Sequence, residues 1–356
     1  MRDIKNILKD YSIRALLIGN PVNIYYLTGV HTDSDSKDFW LLITETQEYL
    51  FTDTRYFFSL PSDKGYIPIL IRGFQNLGEQ IKTMLQKHSI NSVGIEEDSV
   101  TLLDNRRLET LLSPIKITPI AYPLNNLRMI KTAPEHAALE AAATITDAGF
   151  SHFLKWFTPG VSERDAALEL EIFMRRNGAE DIAFTPIVAF GKNAAIPHHS
   201  SDDTKIEGKG PLLLDFGARY KGYHSDLSRT VYLGQPTDIF LETYAFILRV
   251  QETAIDTIKP GMTGAKADEI VRALFREENL ESNFLHALGH GIGLSIHEGF
   301  TLSPNSTIEL KEHMVYTIEP GLYYPEWGGI RIEDTVRLTK SGCQTLTKSP
   351  KSLIIV

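Results

Sequence analysis

The sequence predicts a two-domain α/β protein whose second part is of mixed α/β (α+β) type with an internal repeat. Three observations carry that expectation. The chain has 356 residues, which at about 150 residues per domain suits two domains. Its first third alternates short apolar runs with helical periodicity, the pattern of a small α/β layer. Its remainder twice shows Pro-Gly-x-Ser/Thr followed by an amphipathic helix, at Pro159-Gly160-Val161-Ser162 and at Pro260-Gly261-Met262-Thr263. With 42% apolar and 23% charged residues, each part has material for its own core.

In chain order, Ala15 to Ile18, Phe39 to Ile43, Tyr49 to Thr52, Ile67 to Ile71, Val93 to Ile95 and Ile115 to Ile120 read as strands. Leu77 to His88 and Thr101 to Leu112 read as helices. Few polar groups converge here, so no chemistry is expected in this part; His31, Asp33, Asp35 and Asp38 read as a polar surface loop. Pro123, Asn125 and Asn126 punctuate the chain and set the expected boundary between domains 1–125 and 127–356. Thr132-Ala133-Pro134-Glu135 then has the form of a capping box, with Pro134 tolerated in the first turn. The alanine-rich run to Phe157 continues it as a long helix. In both Pro-Gly motifs the hydroxyl residue stands where an N-cap belongs, and the helices end near Asn177-Gly178 and Glu278-Asn279. Pro-Gly-x-Ser/Thr is also a common helix entry; the similar helix lengths and apolar positions favour duplication. Two related halves facing each other would enclose a cleft.

Composition narrows the function. Thirty-six basic against 45 acidic residues give a net charge of −9. A nucleic-acid binder generally carries a basic surplus, so no nucleic-acid partner is expected. Cys343 is the only cysteine, which excludes an intramolecular disulfide framework and a Cys-rich zinc site and fits a reducing compartment. Asp3, Lys5, Lys9, Asp10 and Arg14 interrupt any signal-peptide core, and no stretch approaches about 18 apolar residues. The expectation is a cytoplasmic protein with no membrane partner.

Carboxylates and histidines concentrate in the second part. The buried-strand pattern Leu212 to Leu214 ends on Asp215, and Asp226 precedes another strand-like run. Two strands joined by a turn could bring both carboxylates to one face. His290 stands in Leu288-Gly289-His290-Gly291-Ile292-Gly293, with His286 before it and His297-Glu298 after it. Glu319 follows an apolar strand pattern, and Arg331 and Glu333 lie two apart, on one face of a strand. A carboxylate at the end of a buried strand is costly unless it is paired, hydrogen-bonded or bound to a metal. Asp215, Asp226, His290, Glu319 and Glu333 supply four carboxylates and one imidazole, a set suited to Mn²⁺, Co²⁺ or Zn²⁺. Two divalent ions neutralise four carboxylates, so a dinuclear site with an activated water as nucleophile fits the charge. Taken singly, the residues also admit turn or cap roles, an Arg331–Glu333 ion pair, a Ca²⁺ site or a solvated acidic rim.

These clusters, in this order, resemble the metal-binding signature of the pita-bread metallopeptidases, in particular the branch of Xaa-Pro aminopeptidase (aminopeptidase P) and prolidase. All five ligand positions match, and the resemblance runs from about Leu127 to the C-terminus. Asn23-Ile24-Tyr25-Tyr26-Leu27-Thr28-Gly29 and Leu127-Arg128-Met129-Ile130-Lys131 also resemble segments of that branch, whose N-terminal domain is of the creatinase type. The resemblance implies a pita-bread catalytic domain with pseudo-two-fold symmetry and two divalent metal ions, Mn²⁺ first and Co²⁺ or Zn²⁺ as alternatives. It implies that Asp226 and Glu333 bridge both ions, Asp215 holds one, and His290 and Glu319 hold the other. Glu319 would also accept the proton of the attacking water. His198, His286 and His297 would face the substrate, His297 nearest the scissile carbonyl, and Arg331 would steady the carboxylates. The implied substrates are peptides with proline at the second position, and a homodimer is the implied assembly.

Some positions depart from the pattern. His199 follows His198 where the family often has Gly, and Phe190-Gly191 replaces Ser-Gly. Gly299-Phe300-Thr301 follows His297-Glu298 where the branch often shows x-Pro-Arg. A basic residue there is associated with holding a dipeptide's carboxylate, so its absence favours aminopeptidase P acting on longer peptides over prolidase. A pseudo-peptidase that only binds peptides and a creatinase-like amidinohydrolase are the remaining alternatives, and the complete ligand set argues against both.

Overall fold

In the strand Ala15–Ile18, Ala15 and Leu17 point to one side and Leu16 and Ile18 to the other, and all four are buried. Such a strand needs packing on both faces and belongs in the middle of a sheet. The computed structural model, which describes residues 4–31, 37–61 and 64–356, places it there. The expected loop residues Asp33 and Asp35 lie outside the described residues. The six-stranded order is Tyr66–Leu70, Glu48–Thr52, Phe39–Thr44, Ala15–Ile18, Ser92–Glu96 and Lys116–Ile120. Ala15–Ile18 runs antiparallel to Phe39–Thr44 and parallel to Ser92–Glu96. Leu77, Ile81 and Leu85 of helix Phe74–Lys87 and Leu108 and Leu112 of helix Leu102–Leu112 pack on the face carrying Leu17, Trp40 and Phe51. Ile7, Leu8 and Ile24, from helices Ile4–Asp10 and Pro21–Thr28, pack on the face carrying Leu16, Ile18 and Leu41.

All six expected strands are present, with ends shifted by a residue or two. The helix Pro21–Thr28 was not foreseen, because Val22, Ile24, Tyr25 and Tyr26 are strand formers. Its start overrides that preference: the Asn20 side chain accepts from Val22 N and Asn23 N, and Pro21 takes the first turn.

The chain divides into two units, Met1–Arg128 and Met129–Val356, and a short helix, Asn125–Met129, occupies the expected break. In the second unit the long helix Ala133–Trp156 begins at Thr132, whose N–H donates to Glu135 Oε2 at 2.7 Å. The repeat is visible in hydrogen bonds as well as in lengths. Helices Glu163–Arg176 and Gly264–Glu277 each span 14 residues and are capped by Ser162 and Thr263 hydroxyls. Gly160 N donates to Ile206 O and Gly261 N to Leu310 O, both at 2.8 Å, so each Pro-Gly entry is stitched to a strand-like segment in the same way. The two halves then supply the sheets that matter for the site. One is Leu227–Leu233, Gly210–Phe216 and Ile187–Phe190; the other is Val315–Ile318, Asp334–Thr339 and Gly342–Thr345. Among the described residues no helix is long and apolar enough to cross a membrane.

Candidate metal centre

Asp215 sits in strand Gly210–Phe216 opposite Ser228 of strand Leu227–Leu233. Between these strands the chain makes a short hairpin, Ala218–Tyr220 against Tyr223–His224. It returns Asp226 to the residue just before the second strand, so both carboxylates reach one end of the pair. Glu319 and Glu333 meet through register. Ile318 and Asp334 are the last rung of an antiparallel pair, and the residues just beyond that rung face each other across its open end. Glu333 therefore lies in the break between Gly328–Arg331 and Asp334–Thr339 rather than inside a strand. His290 comes from the short strand Gly289–His290. A Cβ on Gly289 would overlap Thr317 O, so only glycine lets this segment approach strand Val315–Ile318. His290 N donates to Thr317 Oγ1 at 3.0 Å, and that hydroxyl donates to Glu319 Oε1 at 3.0 Å.

The five side chains converge. His290 Nε2 lies 3.5 Å from both Asp226 Oδ2 and Glu319 Oε1. Asp226, His290 and Glu333, all buried, offer ligand atoms within 4.8 Å of one another. Asp215 Oδ1, Asp226 Oδ1 and Glu333 Oε1 are sealed from solvent with no hydrogen-bond partner among the described residues. Burial, then the charges of Asp215 and Glu319, push the Asp226 carboxyl well above its ordinary range. Burial, then Asp226, Glu319 and Asp215, do the same to Glu333, and burial raises Glu319. Like charges held this close do not stay ionised unless cations share the space. Orphaned carboxylate oxygens beside one imidazole are the donor set of hard to borderline divalent ions, so the residues fit a pair of metal ions.

The simple Arg331–Glu333 ion pair, the alternative reading of these two residues, is absent among the described residues: Arg331 Nη2 meets Asp215 Oδ2 at 2.5 Å. Its Nε donates to Ser228 Oγ at 2.8 Å, and Ser228 Oγ donates to Glu333 Oε2 at 2.6 Å. Burial opposes the Arg331 charge, but Tyr323, Asp215, Glu333 and Glu319 outweigh it and hold the guanidinium firmly protonated.

A cavity of about 380 Å³ opens on this cluster and is lined by all five residues, by His198, His286, His297 and Arg331, and by apolar Phe184, Ile187, Pro197 and Ile296. The His297 ring stands edge-on to His290, centroids 4.3 Å apart. Burial first, then His290 and His198, bring the His297 pKa down to about 4; burial and Arg331 bring His286 down to about 3. Both rings are therefore neutral near pH 7.

Two family models match the chain. Residues 137–340 match metallopeptidase family M24, and residues 1–130 match the Creatinase/Prolidase N-terminal domain. The chain belongs to metallopeptidase family M24. It is 34% identical to a Xaa-Pro dipeptidase of Pyrococcus furiosus over 98% of this chain and 97% of that one. A solved structure of a Xaa-Pro dipeptidase from Bacillus anthracis matches with a TM-score of 0.94 and 35% identity, covering 99% of this chain and 98% of that one. An X-Pro aminopeptidase structure from Thermotoga maritima matches at 0.90 and 32%, covering 99% and 100%. The mixed α/β fold with its two parts is thus that of family M24 with the creatinase-type N-terminal domain.

Around this M24 centre, three residues that the sequence did not single out complete the hydrogen bonding. Tyr323 OH accepts from Arg331 Nη1 at 2.8 Å and lies 2.7 Å from His286 Nε2. Ser228 links Arg331 to Glu333, and Thr317 links His290 to Glu319. The only sequence signal for them is their place beside a ligand: Tyr323 follows Glu319-Pro320-Gly321, and Ser228 and Thr317 each lie two residues from a carboxylate.

Proposed function

We propose that the chain hydrolyses the Xaa-Pro bond of short peptides with two divalent metal ions, acting as a Xaa-Pro dipeptidase. One observation carries the reading: three buried carboxylates, the half-buried Glu319 and one imidazole meet at a cavity, with three carboxylate oxygens lacking a partner among the described residues. Asp215, Asp226, His290, Glu319 and Glu333 would hold the ions, Mn²⁺ first, with Asp226 and Glu333 shared between them. Bound there, two divalent cations polarise a carbonyl and make water acidic enough to attack it near neutral pH.

The chain's own groups do the rest. Glu319, oriented by Thr317, takes the proton of the attacking water and can pass it to the proline nitrogen. His297 is neutral, so its ring N–H donates a hydrogen bond to the oxygen on which negative charge develops. His198 and His286 flank the peptide, and Arg331 steadies Asp215. An Xaa-Pro bond has no N–H and a restricted φ, and Phe184, Ile187 and Ile296 offer the ring an apolar wall. A cytoplasmic homodimer belongs to the same reading; the single Cys343, whose Sγ lies 3.3 Å from Tyr316 OH, suits a reducing compartment.

The names of the relatives support the dipeptidase form over the aminopeptidase form that the sequence favoured. A specific observation keeps the second form in view: Arg331 is the one lysine or arginine lining the cavity among the described residues, and it is committed to Asp215, Ser228 and Tyr323. Assaying Ala-Pro against Ala-Pro-Ala with the Mn²⁺-loaded protein separates the two. Cleavage of Ala-Pro alone supports the dipeptidase, cleavage of Ala-Pro-Ala the aminopeptidase, and cleavage of neither at any metal load refutes both.

A further inference from the structure

Glu163 is a fully buried carboxylate far along the chain from the metal cluster, in the first turn of helix Glu163–Arg176. Its oxygens are saturated by one stretch of chain. Oε1 accepts from Phe190 N at 2.7 Å and from Asn193 Nδ2 at 2.9 Å. Oε2 lies 2.7 Å from His199 Nε2 and accepts from Asp202 N at 3.3 Å. Glu163, His199 and Asp202 have the spacing of a metal group, but with both oxygens occupied by donors Glu163 serves as a hydrogen-bond hub.

The stretch it holds, from Phe190 to Asp202, carries His198. Its two ends and its middle are tied to the same carboxylate, and its short 3₁₀ turn, Gly191–Ala195, lies so close to Gly329 that a Cβ there would overlap Ala194 O. Pro197 O lies 3.5 Å from Arg331 Nη1, which links the stretch to the group steadying Asp215. Within it, adjacent residues point to opposite sides: His198 lines the cavity, while His199 turns away to Glu163 with its side chain only 9% exposed. His199 is also the residue standing where the resemblance leads one to expect glycine, which could make no such contact.

We propose that Glu163 and His199 are positioning residues that fix the 190–202 stretch and hold the His198 imidazole against the bound peptide. This rests on the reading of His198 as a substrate-side group. A clamp of this kind acts chiefly through His198, the stretch's imidazole in the cavity. It leaves the metal ligands untouched and sets how much of the time His198 stands where the substrate needs it.

The test is a double-mutant cycle on the metal-loaded enzyme. His199→Ala should lower kcat/KM for the cleaved Xaa-Pro peptide on the order of 10-fold, because displacing a contact group by about 1 Å can cost up to about 10²-fold. His199→Gln, which can still donate to Glu163, should recover most of that loss, and metal content should stay at the wild-type value in both. In a His198→Ala background, adding His199→Ala should change nothing further. Additive losses in the double variant, an unchanged kcat/KM for His199→Ala, or a loss of metal would each overturn the proposal. His199→Asn, too short to reach Glu163, replaces the alanine variant if that does not fold. Amide hydrogen exchange over 190–202 separates this idea from the function it rests on. It should quicken in His199→Ala whatever the enzyme cleaves, and unchanged exchange refutes the clamp even if Xaa-Pro hydrolysis stands.

Discussion

Glu96 in the first unit and Asp215, Asp226 and Glu333 at the metal centre in the second are all buried, yet their surroundings are opposite. Glu96 Oε2 accepts from Gly19 N and Asn20 N, both at 2.9 Å, and its Oε1 accepts from Asn23 Nδ2 at 2.6 Å. It fixes the turn that starts helix Pro21–Thr28, and it lines no catalytic cavity. Asp215, Asp226 and Glu333 each keep one buried oxygen with no donor among the described residues. A buried carboxylate surrounded by N–H groups is a structural bolt; several together with too few donors leave room for cations. Burial alone does not distinguish the two cases. Counting donors does, and Glu163, with its full set of partners, falls with Glu96.

The strongest way to break this contrast is to remove one of the orphaned carboxylates. Asp226→Asn should cut kcat by at least about 10³-fold, more than the loss of a single oxyanion donor, and should lower bound metal below two ions per chain by elemental analysis. Chelation of the wild type should produce the same loss, reversed by adding Mn²⁺. An Asp226→Asn protein with full metal content and wild-type turnover would refute the assignment. Glu96→Gln, as the control from the other region, should leave kcat and metal content unchanged.

A second buried carboxylate lies between the two cases and sharpens the comparison. Glu298, next to His297, accepts from Leu294 N at 3.0 Å and Ser295 N at 3.3 Å and is met by Lys131 Nζ at 2.8 Å, with both side chains at most 3% exposed. Lys131→Met would strand a charged group in the interior, which costs about 3–5 kcal/mol. Chemical denaturation of the metal-loaded protein measures it. A loss under about 1 kcal/mol would put the pair with surface ion pairs, whereas the Lys131→Met/Glu298→Gln double variant should be more stable than Lys131→Met alone.

What the sequence disclosed and what it hid follow the same division. The six strands of the first unit were legible from their short apolar runs, although only the inner strands are buried on both faces and the edge strands Tyr66–Leu70 and Lys116–Ile120 stay partly exposed. The five candidate ligands were legible because each sits in a short motif with glycines or strand residues fixed around it. The contacts between motifs were not. Arg331 meets Asp215 rather than Glu333 because the chain leaves strand geometry at Ile332 and Glu333, a break that alternation of side chains does not announce. Ser228, Thr317 and Tyr323 are bound to the ligands by strand register, and His199 to Glu163 by the fold of a loop. Apart from Thr317 with Glu319, two residues away, these pairings have no local sequence signal, since the partners are distant in the chain and ordinary in type.

The smallest expected effect concerns the pH at which Glu96 helps. Burial raises its pKa from 4.5 to about 7, against the pull of its Asn20, Asn23 and Gly19 hydrogen bonds. Between those two values the folded state holds a proton that the unfolded chain has released. Stability from this group is therefore fully present below about pH 4.5, falls as pH rises, and is gone above about pH 7. Glu96→Gln removes the titration but turns an amide N–H towards backbone donors, a loss of about 1–3 kcal/mol at low pH. The gap between wild type and variant in urea unfolding should thus be wider at pH 5 than at pH 8. A gap that stays constant across that range would mean that Glu96 remains ionised throughout, and that its N–H donors alone sustain a buried charge without any cation.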